Sequence, residues 1–209
     1  MPRLAIFDLD GTLVDSVDDL AASVNHALAA VGLPARSREE VRSFVGEGAR
    51  VLLERSVAPH LDRLEPALAA WTAHYAEHCL DATRPYPGVA PLIAGAACAL
   101  AVLTNKPGPM ARRILDGLGL LPRFAAVVGG GEVARKPDPE GVVRLRALVG
   151  AAPEETLFVG DSAVDVATAR AAGVPMVAVA WGLSSRAALE RAGAERIVDR
   201  ADQLAPLLR

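Results

Sequence analysis

The sequence predicts an α/β protein in which a doubly wound parallel sheet is interrupted by a small helical domain. Two observations predict this fold class. From residue 89 onward, short apolar runs alternate with helical segments, which is typical of a parallel sheet with helices on both faces. Residues 17–80 show helical periodicity without a good strand, and they follow a single apolar strand near the start of the chain.

The first strand ends in two aspartates. Its apolar run leads into Asp8 and Asp10, which are followed by Gly11 and Thr12. Alternation along a strand places the two aspartates on the same side, where their carboxylates would repel by roughly 4 kcal/mol at about 4 Å. A divalent cation relieves such repulsion, and carboxylate oxygens suit Mg²⁺. The pair therefore points to Mg²⁺, although Asp-Gly alone is also a common turn.

The inserted region is predicted to form three helices. Ser16 with Asp19, and Ser37 with Glu40, have the spacing of capping boxes and are expected to begin the first two. The first helix is expected at residues 16–31. The second is expected to begin at residue 37, to be interrupted at 46–48 and to continue through 51–53. The third is expected at residues 64–80, followed by a linker rich in helix breakers at 81–88.

The remainder of the chain is predicted to alternate between strands and helices. Strands are expected at residues 99–103, 125–128, 157–159, 176–180 and 196–198, and helices at residues 89–97, 109–118, 140–149, 164–172, 185–191 and 201–207.

Polar side chains follow three later segments of this pattern. Thr104 and Asn105 end one strand, Lys136 lies in a basic loop before a helix, and Asp161 and Asp165 follow another strand. Because parallel sheets bind ligands beyond the carboxyl ends of their strands, we expect these side chains to meet the aspartates of the first strand.

Lysine is rare in this chain, which has 20 arginines but only Lys106 and Lys136. Under a coding bias toward arginine, lysine should survive where a compact ammonium cannot be replaced by a planar guanidinium. Both lysines lie in or beside the segments just described. We interpret Lys136 as functional and keep Lys106 as a candidate.

These four segments, in this order and at strand ends, resemble the motifs of the haloacid dehalogenase-like phosphatase superfamily. The resemblance spans nearly the whole chain. It implies a Rossmann-like catalytic core at residues 1–15 and 84–209 and a helical cap domain at residues 16–83, with hinges where the two meet. Closure of the cap would exclude water from the site.

The resemblance also implies roles for the core residues. Asp8 would be the nucleophile that forms an aspartyl-phosphate, and Asp10 would be the general acid and then the general base. Thr104 would hold a phosphoryl oxygen with Asn105 beside it, and Lys136 would balance the charge of phosphate and Asp8.

A Mg²⁺ site is implied as well. Asp8, the backbone carbonyl of Asp10, and Asp161 would bind the ion, and Asp165 would orient water on it. Gly11 and Thr12 would let the turn direct backbone N–H groups at the phosphate.

The cap is expected to select the substrate. Residues 44–55, which include Gly46 and Arg50, are similar to the cap of bacterial phosphoglycolate phosphatases. Arg50 would pair with the carboxylate of a small phosphate ester. The alternative interpretation is that Arg50 is a solvated helix residue without a role in binding. Relatives with similar signatures act on pyrophosphate, sugar phosphates or amino-sugar phosphates.

Several residues of the chain argue against other activities. Asp10 argues against a dehalogenase, and the absence of a cap lysine argues against a phosphonate hydrolase and lowers the case for a sugar phosphomutase. A non-catalytic phosphate-binding protein should have lost a motif residue. His74 and His78 match a zinc-peptidase pattern, but the match is short and isolated, so surface histidines are expected.

Composition limits the class of protein. The net charge of −3 and the 4% aromatic content argue against a nucleic-acid surface, and no apolar run is long enough for a membrane span. Cys79 and Cys98 are expected to be free thiols of a cytoplasmic protein. A monomer or a homodimer is expected.

Overall fold

The computed structural model describes all 209 residues. The strands are β1 (Leu4–Phe7), β2 (Val14–Asp15), β3 (Arg84–Pro85), β4 (Ala99–Pro107), β5 (Ala126–Gly130), β6 (Thr156–Gly160), β7 (Met176–Val179) and β8 (Ile197–Val198). The α-helices are α1 (Val17–Ala30), α2 (Arg38–Phe44), α3 (Ala49–Val57), α4 (Leu64–His78), α5 (Val89–Gly95), α6 (Gly108–Gly117), α7 (Glu140–Val149), α8 (Ala163–Ala172) and α9 (Arg186–Arg191).

Six strands form one parallel sheet in the order β5-β4-β1-β6-β7-β8. The chain leaves β1 toward β4 and β5 on one side, and later builds β6, β7 and β8 on the other. The strand order therefore reverses at β1, which is where open α/β sheets place their ligands. The predicted doubly wound α/β sheet is confirmed.

The two faces of this sheet have separate apolar clusters because successive side chains of a strand point to opposite faces. Phe7 and Val102 belong to the larger cluster, and Ile6 and Ala101 belong to the smaller one. Helices α5 and α6 pack on the larger cluster's face, and α7 and α8 pack on the other.

Helices α1 to α4 lie between β2 and β3 and pack on one another. They fall inside residues 16–83, which the sequence assigns to the cap domain, and the boundaries themselves stay a prediction. Their apolar side chains, including those of Trp71 and Tyr75, join the larger apolar cluster of the core. The cap is thus packed against the sheet, above the ends of β1 and β4.

The structure differs from the sequence prediction in three elements. The linker contains β3, which pairs antiparallel with β2, and β4 continues to Pro107, beyond the predicted end at residue 103. Residues 201–207 form a 3₁₀ helix that contains Pro206, because proline removes a hydrogen-bond donor that an α-helix needs.

One of the two predicted capping boxes is wrong. Ser37 and Glu40 form the expected box at α2, whereas Ser16 makes no side-chain cap at α1. The Ser16 hydroxyl donates to Asp10 instead; Ser16 lies in the first of the two linkers between core and cap, residues 14–18. Asp19 accepts hydrogen bonds from Ala82 and Thr83 in the second linker, residues 81–88. No helix of the chain combines the length and apolar character that a membrane span requires.

Candidate active site

Asp8 lies immediately beyond β1, where its amide continues the ladder by donating to Val159 O at 2.9 Å. Its side chain is buried and faces Lys136, whose Nζ is 2.8 Å from Asp8 Oδ1 and 2.7 Å from Asp165 Oδ1. Asp8 Oδ1 has no directed hydrogen-bond partner beyond this ion pair. The strand end thus holds a buried, under-coordinated carboxylate oxygen beside one ammonium group.

Three buried carboxylates converge at this point. Asp8, Asp161 and Asp165 each offer an oxygen, and these oxygens lie within 4.8 Å of one another. Burial, opposed by Lys136 and reinforced by Asp165, raises the pKa of Asp8 to about 6. Burial and the charges of Asp165 and Asp8 likewise raise the pKa of Asp161 well above its usual value. The cluster therefore lacks positive charge.

The other bonds of the cluster distinguish its members. Both oxygens of Asp165 are engaged, one by Lys136 and the other by Ser162 in the capping box of α8. Asp161 accepts from the Thr12 hydroxyl at 3.0 Å and from the Leu183 amide at 2.7 Å. The Lys136 ammonium thus occupies one oxygen of Asp165, whereas Asp161 accepts only from uncharged donors, one at each oxygen.

Asp10 forms a second ion pair on the cap side of Asp8. Lys106 Nζ lies 2.9 and 3.0 Å from the two carboxylate oxygens of Asp10, and the Ser16 hydroxyl donates to Oδ1. The Lys106 side chain is 3% exposed and its ammonium lies 4.7 Å from the centre of the Tyr75 ring. Lys106, only a candidate in the sequence, therefore belongs to the site.

In the turn after Asp10, the backbone N–H groups of Gly11 and Thr12 bond to carbonyls of the same turn, whereas the sequence suggests that they face the phosphate. The Gly11 amide donates to Val14 O and the Thr12 amide to Leu9 O, so neither N–H group is available to a phosphate. Gly11 is still required, because its φ is +86° and a Cβ would lie 2.2 Å from an Asp161 oxygen.

Thr104 and Asn105 have different surroundings although they are adjacent. Thr104 is buried at the cavity, where its Oγ1 accepts from the Lys106 amide, so its hydroxyl proton is available to a ligand. The Asn105 side chain accepts from the Lys136 amide and donates to the carbonyls of Lys136 and Gly46. Its polar atoms are thus already used to position the Lys136 loop and the cap.

Gly46 lines the cavity, but Arg50 does not. Arg50 lies on α3 with its side chain 53% exposed and its Nη1 2.8 Å from Glu65 Oε1. Arg50 lines a neighbouring, more open pocket together with Asn105, but not the cavity that Asp8, Asp10 and Thr104 line. An exposed ion pair of this kind contributes only about 0–1 kcal/mol, so its release would be inexpensive.

A cavity of about 30 Å³ lies between the core and the cap. Core side chains line one side and cap residues, including Trp71, line the other. A space of this size holds only a few water molecules, and a wider, more open pocket of about 400 Å³ adjoins it, lined by Arg50, Trp71 and Asn105 among others. No sequence signal separates Trp71 from the other apolar residues of its helix.

Comparisons with known proteins agree with this geometry. Residues 5–179 match the family model described as haloacid dehalogenase-like hydrolase. The phosphoglycolate phosphatase of Rhodospirillum rubrum is 43% identical over 88% of this chain and 82% of that protein. The phosphoglycolate phosphatase of Mesorhizobium japonicum is 41% identical over 88% of this chain and 85% of that protein.

A solved structure extends the likeness to the whole fold. The crystal structure of a predicted phosphoglycolate phosphatase from Haemophilus somnus 129pt superimposes with a TM-score of 0.93 at 31% identity, covering 100% of this chain and 98% of that one. The chain belongs to the haloacid dehalogenase-like hydrolase family.

Proposed function

We propose that this protein is a Mg²⁺-dependent phosphatase that hydrolyses 2-phosphoglycolate to glycolate and phosphate. The observation that carries the proposal is the buried cluster of Asp8, Asp161, Asp165 and Lys136 at the point where the strand order reverses. The substrate is inferred from the phosphoglycolate phosphatases that resemble the chain over most of its length.

The donor set fits a divalent cation of the Mg²⁺ type. All three converging side chains are carboxylates, the ligands that Mg²⁺ prefers, and Lys136 is the one ammonium group that touches Asp8. Four carboxylates, including Asp10, face the two ammonium groups of Lys106 and Lys136. Mg²⁺, held by Asp8, Asp161 and the Asp10 carbonyl, would neutralise the cluster and polarise the phosphoryl oxygens.

In the proposed reaction, a carboxylate oxygen of Asp8 attacks phosphorus and the ester P–O bond breaks. Asp10 gives a proton to the departing alkoxide, which leaves as glycolate. Asp10 then takes a proton from a water molecule whose oxygen attacks the phosphorus of the aspartyl-phosphate. The acyl-phosphate P–O bond breaks, which releases phosphate and restores the Asp8 carboxylate.

The other core residues support these steps. The Lys136 ammonium, which touches Asp8, balances the charge that accumulates on the phosphoryl oxygens. The Thr104 hydroxyl donates to one of these oxygens. Asn105 holds the loop of Lys136 against the cap. Asp165 orients the Lys136 ammonium, which contacts the carboxylates of Asp8 and Asp165.

The carboxylate role of Arg50 stays a prediction. If Arg50 leaves Glu65 to bind the substrate, Arg50→Ala lowers kcat/KM for 2-phosphoglycolate more than for 2-hydroxyethyl phosphate, which lacks the carboxylate. Equal losses on the two substrates would remove Arg50 from substrate selection. Glu65→Gln is the matched control, because it releases Arg50 without removing it.

A substrate panel tests the proposed function. We expect Mg²⁺-dependent phosphate release to be highest with 2-phosphoglycolate and lower with pyrophosphate, sugar phosphates, amino-sugar phosphates and an aryl phosphate. If the protein prefers a different ester, the proposed phosphatase activity stands, and that ester replaces 2-phosphoglycolate as the proposed substrate. No release from any of them by the folded protein would favour a phosphosugar mutase or a non-catalytic binding protein.

The cellular setting is proposed on fewer observations. Cys79 and Cys98 are free, as is usual in reducing compartments, which supports a cytoplasmic enzyme. A small phosphate ester as the sole partner, and a monomer or homodimer, stay predictions. Size-exclusion chromatography with light scattering measures the oligomeric state directly.

A further inference from the structure

Trp71 carries a polar atom that the protein leaves without a partner. The residue lies on α4, is 1% exposed and lines the cavity, yet its Nε1–H has no hydrogen-bond acceptor. A buried donor without a partner is costly and demands an explanation. Trp181, the other tryptophan, donates its Nε1–H to Thr12 O at 3.1 Å.

The cavity that Trp71 lines also contains the Lys106 ammonium, together with the carboxylates of Asp8 and Asp10. The Lys106 ammonium has three N–H groups, and the two Asp10 oxygens at 2.9 and 3.0 Å account for two of them. The cavity also touches Gly48 and Ala49, where α3 begins without a side-chain cap. The N-terminus of that nine-residue helix carries partial positive charge.

Trp71 is also held firmly in place. Its ring stacks on Tyr75 with centroids 4.8 Å apart and planes inclined by 15°, and Lys106 lies over the Tyr75 ring. A rigid indole N–H that lines the same cavity as the Lys106 ammonium is suited to an acceptor-only, negatively charged group, which describes a carboxylate.

We propose that Trp71 recognises the carboxylate of the substrate, by donating its indole N–H to a carboxylate oxygen beside the Lys106 ammonium. This inference rests on the proposed function, in which Asp8 takes the phosphoryl end of a small carboxylate-bearing ester. Trp71 lines the cavity, whereas Arg50 lines only the neighbouring pocket and is paired with Glu65.

Trp71→Phe tests the proposal because it removes the N–H and keeps an aromatic ring. The readout is the ratio of kcat/KM for 2-phosphoglycolate to kcat/KM for 2-hydroxyethyl phosphate. We expect this ratio to fall at least tenfold in Trp71→Phe and to change less than twofold in Trp181→Phe, where the lost donor served the protein itself.

The outcomes separate the two proposals. Wild-type protein that prefers 2-phosphoglycolate, together with an unchanged ratio in Trp71→Phe, overturns the role of Trp71 and leaves the proposed function intact. A fall in the ratio with Arg50→Ala but not with Trp71→Phe assigns the carboxylate to Arg50. Wild-type protein that hydrolyses neither ester with Mg²⁺ contradicts the proposed function.

A second measurement does not depend on the folding of Trp71→Phe. In Asp8→Asn protein with ¹⁵N-labelled tryptophan, two indole signals report on the two side chains, and Trp181→Phe assigns them. With Mg²⁺ present, saturation by 2-phosphoglycolate should shift the Trp71 indole proton downfield, and 2-hydroxyethyl phosphate should not. An unmoved Trp71 signal in the saturated protein overturns the proposal.

Discussion

The carboxylate of Asp8 is buried beside two further carboxylates and one ammonium group. Burial raises its pKa to about 6, which means that its ionisation opposes folding when no cation is bound. The group most suited to attack phosphorus is thus also a source of instability. Such a conflict between stability and activity is common in catalytic sites.

Asp8→Asn should therefore stabilise the metal-free protein at pH 7.5 while it removes turnover. Because the folded pKa of Asp8 lies above its unfolded value, the destabilisation is present above pH 6 and absent below pH 4. A shift from 3.8 to about 6 corresponds to a gain of about 2–3 kcal/mol in the free energy of unfolding for the asparagine variant.

Urea denaturation without Mg²⁺ measures this gain. We expect the free energy of unfolding of Asp8→Asn to exceed that of the wild type at pH 7.5 and to match it at pH 4. An asparagine variant that is less stable at pH 7.5 would contradict the charge balance described for the cluster.

Individual side chains also mark where sequence reasoning stops. The motif aspartates and Lys136 are predictable because strand ends of a parallel sheet meet at one edge. The partners of Asn105 and Lys106 lie on segments distant in the sequence, so their bonds follow from packing that the sequence does not display.

Helix α1 illustrates how tertiary contacts replace a local motif. The Asp19 carboxylate is buried at the start of α1 and accepts three hydrogen bonds of 2.7–2.8 Å from Ala82 and Thr83. These bonds join the two linkers between cap and core, beside the short β2–β3 pair. The spacing of Ser16 and Asp19 indicates a capping box, but the second linker offers Asp19 more donors than the helix does.

Asp19→Ala should lower the free energy of unfolding by about 2 kcal/mol, since the buried donors of Thr83 lose their acceptor. Asp18→Ala is the matched control on the same helical turn. The Asp18 side chain is 61% exposed and pairs with Arg38, so its loss should amount to less than about 1 kcal/mol. Urea denaturation of both variants checks this, and equal losses would contradict the linker role of Asp19.

The elements of the core are more predictable than those at the cap boundary. The bounds of α7 follow directly from its periodicity between two helix-breaking segments. The β2–β3 pair has only two residues in each strand, too few for alternation to appear in the sequence, and the two strands come from linkers 70 residues apart in numbering.

The cap and core are joined by polar contacts as well as by a shared apolar cluster. Arg135 donates to Glu47 O, Arg42 donates to Gly182 O, and Asn105 donates to Gly46 O. With the cap in this position the cavity is small. These polar contacts would have to break for the cap to move away from the core, and their return would exclude water from the site.

Mg²⁺ should stabilise the entire fold, and more so at high pH. At a concentration 100 times its Kd, a ligand that binds only the folded state adds about 2.7 kcal/mol, or roughly 5–10 °C in Tm for a chain of this size. Because the pKa values of Asp8 and Asp161 are raised, protons compete with the ion as pH falls through 6.

Thermal unfolding with MgCl₂, or with NaCl at the same ionic strength, measures this effect. We expect the Mg²⁺-specific rise in Tm to be larger at pH 7.5 than at pH 5, and smaller in Asp8→Asn. A rise that is independent of pH, or one that NaCl reproduces, would place the ion away from the aspartate cluster.

The most direct measurement is phosphate release from 2-phosphoglycolate by the wild type and by Asp8→Asn, each with Mg²⁺ and with a chelator. We expect turnover only for the wild type with Mg²⁺, with a loss of about 10⁴-fold or more in Asp8→Asn. Turnover by the folded Asp8→Asn protein, or turnover that persists in the chelator, would contradict this expectation.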